Sequence, residues 1–126
     1  MTPTPSVAAE RRRSQRIPLS VPLFVRSLDP LPSFYGRLET IQVSGHGCVL
    51  YAPRPLKRGL ELRLDILSSN LTTTARVVHS VPTGSRVPRW TVALELAKPG
   101  NFWKLQPPPQ DWPESSKQLD SIHNGP

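Results

Sequence analysis

Apolar and polar residues alternate with a period of two over several short stretches of the chain. The alternation is most regular over residues 60–66 (LELRLDI) and is repeated over residues 90–96 (WTVALEL). Because successive side chains of a strand point to opposite faces, both stretches are predicted to be strands with one buried face. The intervening residues 70–81 are rich in β-branched side chains, which favour strands. Turns at residues 68–70 and 82–88 would join the three into hairpins.

Three further strands are predicted upstream, over residues 19–28, 36–43 and 47–52. Pro22 lacks an amide donor, so we expect it at a sheet edge or at a bulge. Six short strands without an intervening helical pattern predict an all-β fold. Antiparallel pairing closed into a small six-stranded barrel leaves no strand edge exposed, and we expect that architecture.

The two ends of the chain differ in composition from its body. Residues 1–10 are small and proline-rich and have little to bury, so we predict a disordered N-terminus. Residues 106–126 contain three consecutive prolines and a polar run, which predict a Pro-rich disordered tail. The barrel domain is therefore assigned to residues 11–105, with an arginine arm at 11–18. Phe102 and Trp103 are expected to cover one open end of the core.

Composition excludes several classes of protein. The 16 prolines against 7 glycines disfavour a helical protein. No apolar run is long enough for a membrane span or a signal peptide, so a cytoplasmic location is expected. Cys48, the single cysteine, has no intramolecular disulfide partner and is predicted to be a small buried hydrophobe. The three histidines are far apart in the sequence, and no metal site is predicted.

The net charge of +7 is most concentrated in Arg11, Arg12, Arg13 and Arg16, just before the first strand. The planar guanidinium fork suits both phosphate oxygens and the guanine edge. A solvated basic flank explains the charge alone equally well. A second feature is the stretch 42–47 (QVSGHG), whose glycines allow a ligand to approach the backbone closely. By itself this stretch is also typical of an ordinary tight turn.

In this order and at this separation, the two features resemble the PilZ family. The family signature is Arg-x-x-x-Arg before the first strand and (Asp/Asn)-x-Ser-x-x-Gly after the second. The matching positions are Arg12 and Arg16, then Gln42, Ser44 and Gly47. The resemblance covers roughly residues 10–97.

The resemblance implies a PilZ-type barrel that binds the bacterial second messenger cyclic di-GMP. Arg12 and Arg16 would contact guanine edges and phosphates, while Gln42, Ser44 and Gly47 would form the barrel half of the site. Additional candidate ligand-binding residues are Arg11, Arg13 and His46. The implied protein is a receptor that changes conformation and regulates a protein effector. It would have no cofactor apart from this ligand. Gln42 departs from the Asp or Asn of the family.

The sequence leaves two alternatives to a nucleotide receptor open. A degenerate PilZ-like domain that contacts a protein and binds no nucleotide is favoured by Gln42. Nucleic-acid binding would fit a basic barrel, but only 6% of residues are aromatic and few bases would find a stacking platform. An enzyme is not expected, because Ser44 has no recognisable base and no phosphate-binding fingerprint is present.

Overall fold

The computed structural model describes residues 14–29 and 33–113, and within these ranges it contains strands and no helix. All six predicted strands are present, and a two-residue strand that was not predicted precedes them. The strands are β1 (Ile17–Pro18), β2 (Pro22–Ser27), β3 (Tyr35–Val43), β4 (Gly47–Ala52), β5 (Glu61–Ile66), β6 (Thr72–Pro82) and β7 (Trp90–Leu96).

Every strand pairing is antiparallel, and the sheet closes on itself. The strand order is β3-β2-β5-β6-β7-β4, and a further pairing between β3 and β4 completes the ring. β1 pairs with β3 beyond the end of β2, with Ile17 opposite Val43. Closure gives both edges of each long strand a backbone partner. The prediction of a small six-stranded antiparallel barrel is therefore confirmed.

The apolar positions of the alternating pattern fill the barrel. Leu62 and Leu64 of β5 are fully buried, while Glu61 and Arg63 between them are exposed. Each fully buried leucine contributes about 1.5–3 kcal/mol relative to an exposed one. The other large side chains without exposed surface are Leu23, Val25, Val43, Leu50, Val77 and Val92.

Pro22 does not lie where the sequence suggested. It is neither at a sheet edge nor at a bulge, because β2 pairs with β3 on one side and β5 on the other. Instead it is the first residue of β2, and pairing with β5 begins only at Leu23. A strand can begin with proline because its first amide need not enter the ladder.

Two register shifts interrupt the ladders near one end of the barrel. One lies in β3 between Thr40 and Gln42, and the other in β6 between Val77 and His79. Each shift inserts one extra residue, as in a β-bulge, which bends the strand and changes where the neighbouring side chains point. The extra residue of β6, Val78, is 39% exposed.

The segment after β7 packs back onto the barrel. Trp103 is buried and Phe102 is half-buried, and both pack against the core, so this pair folds back onto the barrel. Residues 106–113 were assigned to the tail, yet Trp112 within them is only 6% exposed. The predicted disorder of residues 1–10, and of the tail from residue 114 onward, lies outside the described residues. Within the described ranges, no helix is long and apolar enough to cross a membrane.

Candidate ligand-binding site

An open pocket of about 270 Å³ lies where the chain before β1 passes over the turn between β3 and β4. We call residues 14–16 the docked arm and residues 44–47 the glycine turn. The pocket walls also include parts of β3, β4, β6 and β7. Its lining residues are Ser14, Arg16, Gln42, Val43, Ser44, His46, Gly47, Cys48, Val49, Val78, His79, Ala93, Leu94 and Glu95.

The hydroxyl of Ser44 closes the glycine turn. Its Oγ accepts hydrogen bonds from the backbone amides of His46 at 3.2 Å and Gly47 at 3.1 Å. The backbone amide of Ser44 in turn donates to the carbonyl of Gly47 at 2.9 Å. A hydroxyl has two acceptor positions and one proton. With both acceptor positions occupied, Ser44 offers a ligand only its proton, which suits an anionic oxygen.

Gly47 has a packing role that the motif alone did not reveal. It is buried in β4, directly beside β7, and a Cβ atom at this position would collide with the backbone carbonyl of Leu94. Only glycine lets the two strands approach this closely. Gly47 therefore fixes the position of the glycine turn on the barrel, whatever it contributes to a ligand.

Ser14 connects the docked arm to the glycine turn. Its side chain is 3% exposed, and its Oγ accepts a hydrogen bond from the amide of Gly45 at 3.1 Å. The same oxygen lies 3.1 Å from Nδ1 of His46. Sequence reasoning missed Ser14, because it occupies a variable position of the arginine motif and belongs to no periodic pattern. The only indication in the sequence was that a residue with a hydroxyl group lies between arginines.

Of the residues predicted to bind ligand, the pocket brings together Arg16, Gln42, Ser44, His46 and Gly47. Arg16 is exposed and forms no ion pair with any described residue. Gln42 is half-buried beside Pro18 and Val49. The remaining candidates, Arg11, Arg12 and Arg13, lie outside the described residues.

Part of the pocket wall is apolar, and this part was not predicted. Val49 of β4, Val78 of β6 and Ala93 of β7 line it. Apolar walls with a few polar groups are typical of sites for small organic ligands. Val78 is presented by the bulge of β6, which strand periodicity alone does not locate. Ala93 is one of the outward-facing residues of β7. Its position could therefore have been predicted from the alternating pattern.

The pocket is lined by charged side chains of both signs, but its carboxylate already forms an ion pair. Glu95 lines the wall, and its Oε1 accepts a hydrogen bond from Arg76 at 2.9 Å. Because Arg76 compensates this carboxylate, Arg16 supplies a positive charge at the pocket that no carboxylate among the described residues pairs with. The site therefore combines positive charge with apolar walls, which suits an anionic ligand that also has apolar surface.

Cys48 forms part of the wall with its thiol turned into the barrel. Burial raises its pKa to about 12, so the thiol stays protonated at neutral pH. Only the thiolate acts as a nucleophile or metal ligand. The prediction that Cys48 is a small buried hydrophobe is confirmed.

A comparison with protein families gives a match. A family model described as "PilZ domain" matches residues 10–99, which is more than half of the chain. The match includes both sequence motifs, all seven strands and every residue of the pocket. A search of curated proteins finds no match.

Proposed function

The chain belongs to the PilZ domain family, and from this premise we propose that it is a cyclic di-GMP receptor rather than an enzyme. PilZ domains are in general cyclic di-GMP-binding modules and typically not enzymes. The observation that carries the proposal for this chain is the single pocket shared by Arg16, Gln42 and Ser44. These residues come from two motifs that are far apart in the sequence.

Each polar residue has a role that its chemistry supports. The guanidinium of Arg16 contacts a phosphate or the O6/N7 edge of guanine, and Arg12, four positions earlier in the sequence, provides a second guanidinium fork. The hydroxyl of Ser44 donates its single proton to a phosphate oxygen. The amide of Gln42 bonds a guanine edge, and His46 contacts the ligand from the rim of the pocket.

The apolar part of the pocket wall and the arm supply the remaining contacts. A planar guanine packs on Val49, Val78 and Ala93, which lie beside the polar groups. A pocket of about 270 Å³ holds only part of a cyclic dinucleotide. The remainder would be covered by residues 11–13 of the arm, whose three arginines are opposite in charge to the two phosphates.

The proposed output is a changed surface that a partner protein recognises. A ligand shifts a conformational equilibrium only if it binds one state more tightly than the other. Arg11, Arg12 and Arg13 provide that difference when the arm closes over the nucleotide. Regulation of an effector protein then follows from the closed arm.

A second candidate is an interaction domain that has lost nucleotide binding, and Gln42 favours it. A carboxylate at this position would accept hydrogen bonds from guanine N1–H and N2–H₂ with full charge assistance, which an amide does not provide. In this candidate the barrel contacts its partner directly.

Isothermal titration of the full chain with cyclic di-GMP tests the proposal, with GTP and cyclic di-AMP as competing ligands. We expect selective binding that is abolished in the Arg12→Ala/Arg16→Ala double variant. Arg58→Ala removes an exposed arginine that does not line the pocket and should bind like the unmodified chain. A folded chain that binds no cyclic di-GMP would overturn the receptor proposal and leave the interaction domain in first place.

A further inference from the structure

Trp112 bonds directly to the backbone of the docked arm. Its indole Nε1 donates a hydrogen bond to the carbonyl of Gln15 at 2.7 Å, although the two residues are 97 positions apart. The Trp112 side chain is only 6% exposed, and the bond is partly buried although Gln15 itself is exposed. Gln15 immediately precedes Arg16. Trp112 therefore restrains the peptide from which the pocket arginine projects.

The same segment also packs on the glycine turn. A Cβ atom at Gly45 would lie 2.7 Å from Cδ of Pro113 and 2.9 Å from Cγ of Trp112, closer than real Cβ contacts. Gly45 has no positive φ, so its backbone does not by itself require glycine. The family signature leaves this position variable. Here the missing side chain makes room for Trp112 and Pro113, which we call the clasp.

Two further hydrogen bonds hold the segment between β7 and the clasp against the glycine turn. The amide of Gly100 donates to the carbonyl of Gly45 at 2.7 Å. Nε1 of Trp103 donates to the carbonyl of Ser44 at 2.9 Å. The path from β7 to the clasp is thus fixed on the same side of the barrel as the pocket.

The clasp lies outside the residues that the family model matches. The family model ends at residue 99, whereas Trp103, Trp112 and Pro113 follow it. The contact between the clasp and the docked arm is therefore a feature that this chain adds to the matched domain. The clasp contacts the backbone of both the docked arm, at Gln15, and the glycine turn, at Gly45.

We propose that Trp112 is a positioning residue for cyclic di-GMP, holding the docked arm so that Arg16 faces the pocket before the ligand arrives. The inference rests on the proposed function. Ordering a flexible segment opposes binding, and a segment that is ordered in the free protein avoids much of that penalty. The clasp raises affinity without contacting the nucleotide.

Coupling between the clasp and the ligand is reciprocal. If the clasp strengthens ligand binding by some factor, the ligand strengthens docking of the clasp by the same factor. Cyclic di-GMP should therefore slow hydrogen exchange at the backbone amide of Trp112, which donates to the carbonyl of Pro109. This effect would reach residues that lie beyond the matched domain.

The test measures cyclic di-GMP affinity by titration in full-length variants. Trp112→Phe keeps an aromatic ring but removes the indole donor. We expect affinity to fall about fivefold, which corresponds to the net free energy of one typical hydrogen bond. Trp112→Ala should weaken binding further. Gly45→Ala should reproduce the loss by pushing the clasp away. Trp90→Phe, a similar change in a tryptophan that does not line the pocket, is the matched control and should have no effect.

A double-mutant cycle separates positioning from general stability. If Trp112 acts through the arm, Arg16→Ala should reduce affinity less in the Trp112→Phe background than in the unmodified chain. Strictly additive effects, or unchanged affinity in both Trp112→Phe and Gly45→Ala, would overturn the inference while leaving the receptor proposal intact. Absence of binding by the unmodified chain would overturn the receptor proposal and the inference together.

Discussion

The hydroxyl oxygen of Ser14 accepts a hydrogen bond from the backbone amide of Gly45 at 3.1 Å, 31 residues further along the chain. This bond joins the docked arm to the glycine turn. Both groups are buried, so neither is satisfied by water if the other is lost. The candidate site is thus partly assembled by the fold itself.

Replacing Ser14 with alanine should destabilise the protein. The substitution leaves the buried amide of Gly45 without its acceptor, which costs about 1–3 kcal/mol. Urea denaturation would measure the change in the free energy of unfolding. Ser20→Ala is the control, since that exposed hydroxyl makes only a long contact of 3.4 Å with Glu39. Equal stability of the two variants would contradict this role for Ser14.

Gly47→Ala should be more damaging than its position in a turn suggests. The added methyl group meets the backbone carbonyl of Leu94, and relief requires β4 and β7 to separate, at a cost of about 1–3 kcal/mol. Gly36→Ala is the matched control, because its methyl group would make only an ordinary contact of 3.8 Å with Phe34. Thermal unfolding of both variants provides the comparison. A melting temperature for Gly47→Ala equal to that of Gly36→Ala would show that the strands have room for a side chain.

Arg16→Ala should weaken cyclic di-GMP binding about tenfold to a hundredfold, as expected for hydrogen bonds to a charged group. Arg16→Lys should recover only part of the loss, because an ammonium group lacks the planar fork. Stability should not change, since Arg16 is exposed. Titration and thermal unfolding would measure the two properties. Full recovery by lysine would show that charge alone matters at this position.

Gln42→Asp should strengthen cyclic di-GMP binding, since charge-assisted hydrogen bonds are roughly twice as strong as neutral ones. We expect about a fivefold gain by titration. Gln42→Asn, with the same length but no charge, separates the two effects. Binding seen only in the aspartate variant would identify the natural chain as an interaction domain that has lost its ligand.

Cys48 should make stability depend on pH in the alkaline range. Its pKa is about 12 in the folded protein and roughly 8.5 in an unfolded chain. Above the unfolded value only the unfolded chain loses the proton, so the folded state becomes less stable as pH rises toward the folded value. The slope is about 1.4 kcal/mol per pH unit.

Urea titrations of the unmodified chain and of Cys48→Ala, between roughly pH 8.5 and 10.5, isolate this contribution. Other groups titrate in both proteins, and only the difference between the two reports on Cys48. That difference should change steadily with pH. A constant difference would mean that the thiol has access to water in the folded state.

The barrel was predictable because its strands alternate strictly. Over residues 60–66 the side chains at even positions are buried, and the odd positions between them are exposed or only partly buried, as the pattern required. Pro22 was misplaced because sequence alone does not show whether proline begins a strand or interrupts one. The two-residue β1 was missed because Ile17 and Pro18 are too few to form a pattern.

The candidate site was predictable only where residue chemistry forms a motif. Arg16, Gln42, Ser44 and Gly47 belong to such motifs, and the pocket brings them together. Ser14 contributes through a single buried hydrogen bond, which leaves no periodic signal. The role of Trp112 depends on a contact over 97 residues within a proline-rich stretch, where composition indicates a tail.

The close approach of β4 and β7 at Gly47 has an evolutionary consequence. If selection for nucleotide binding ceased in a lineage while selection for folding continued, Gly47 would still be retained, because the barrel needs it. Arg16 and Gln42, which are not required for strand closure, would be free to drift. Among descendants of this domain, the arginine is therefore the informative marker of a surviving ligand site, and the glycine is a marker of the fold.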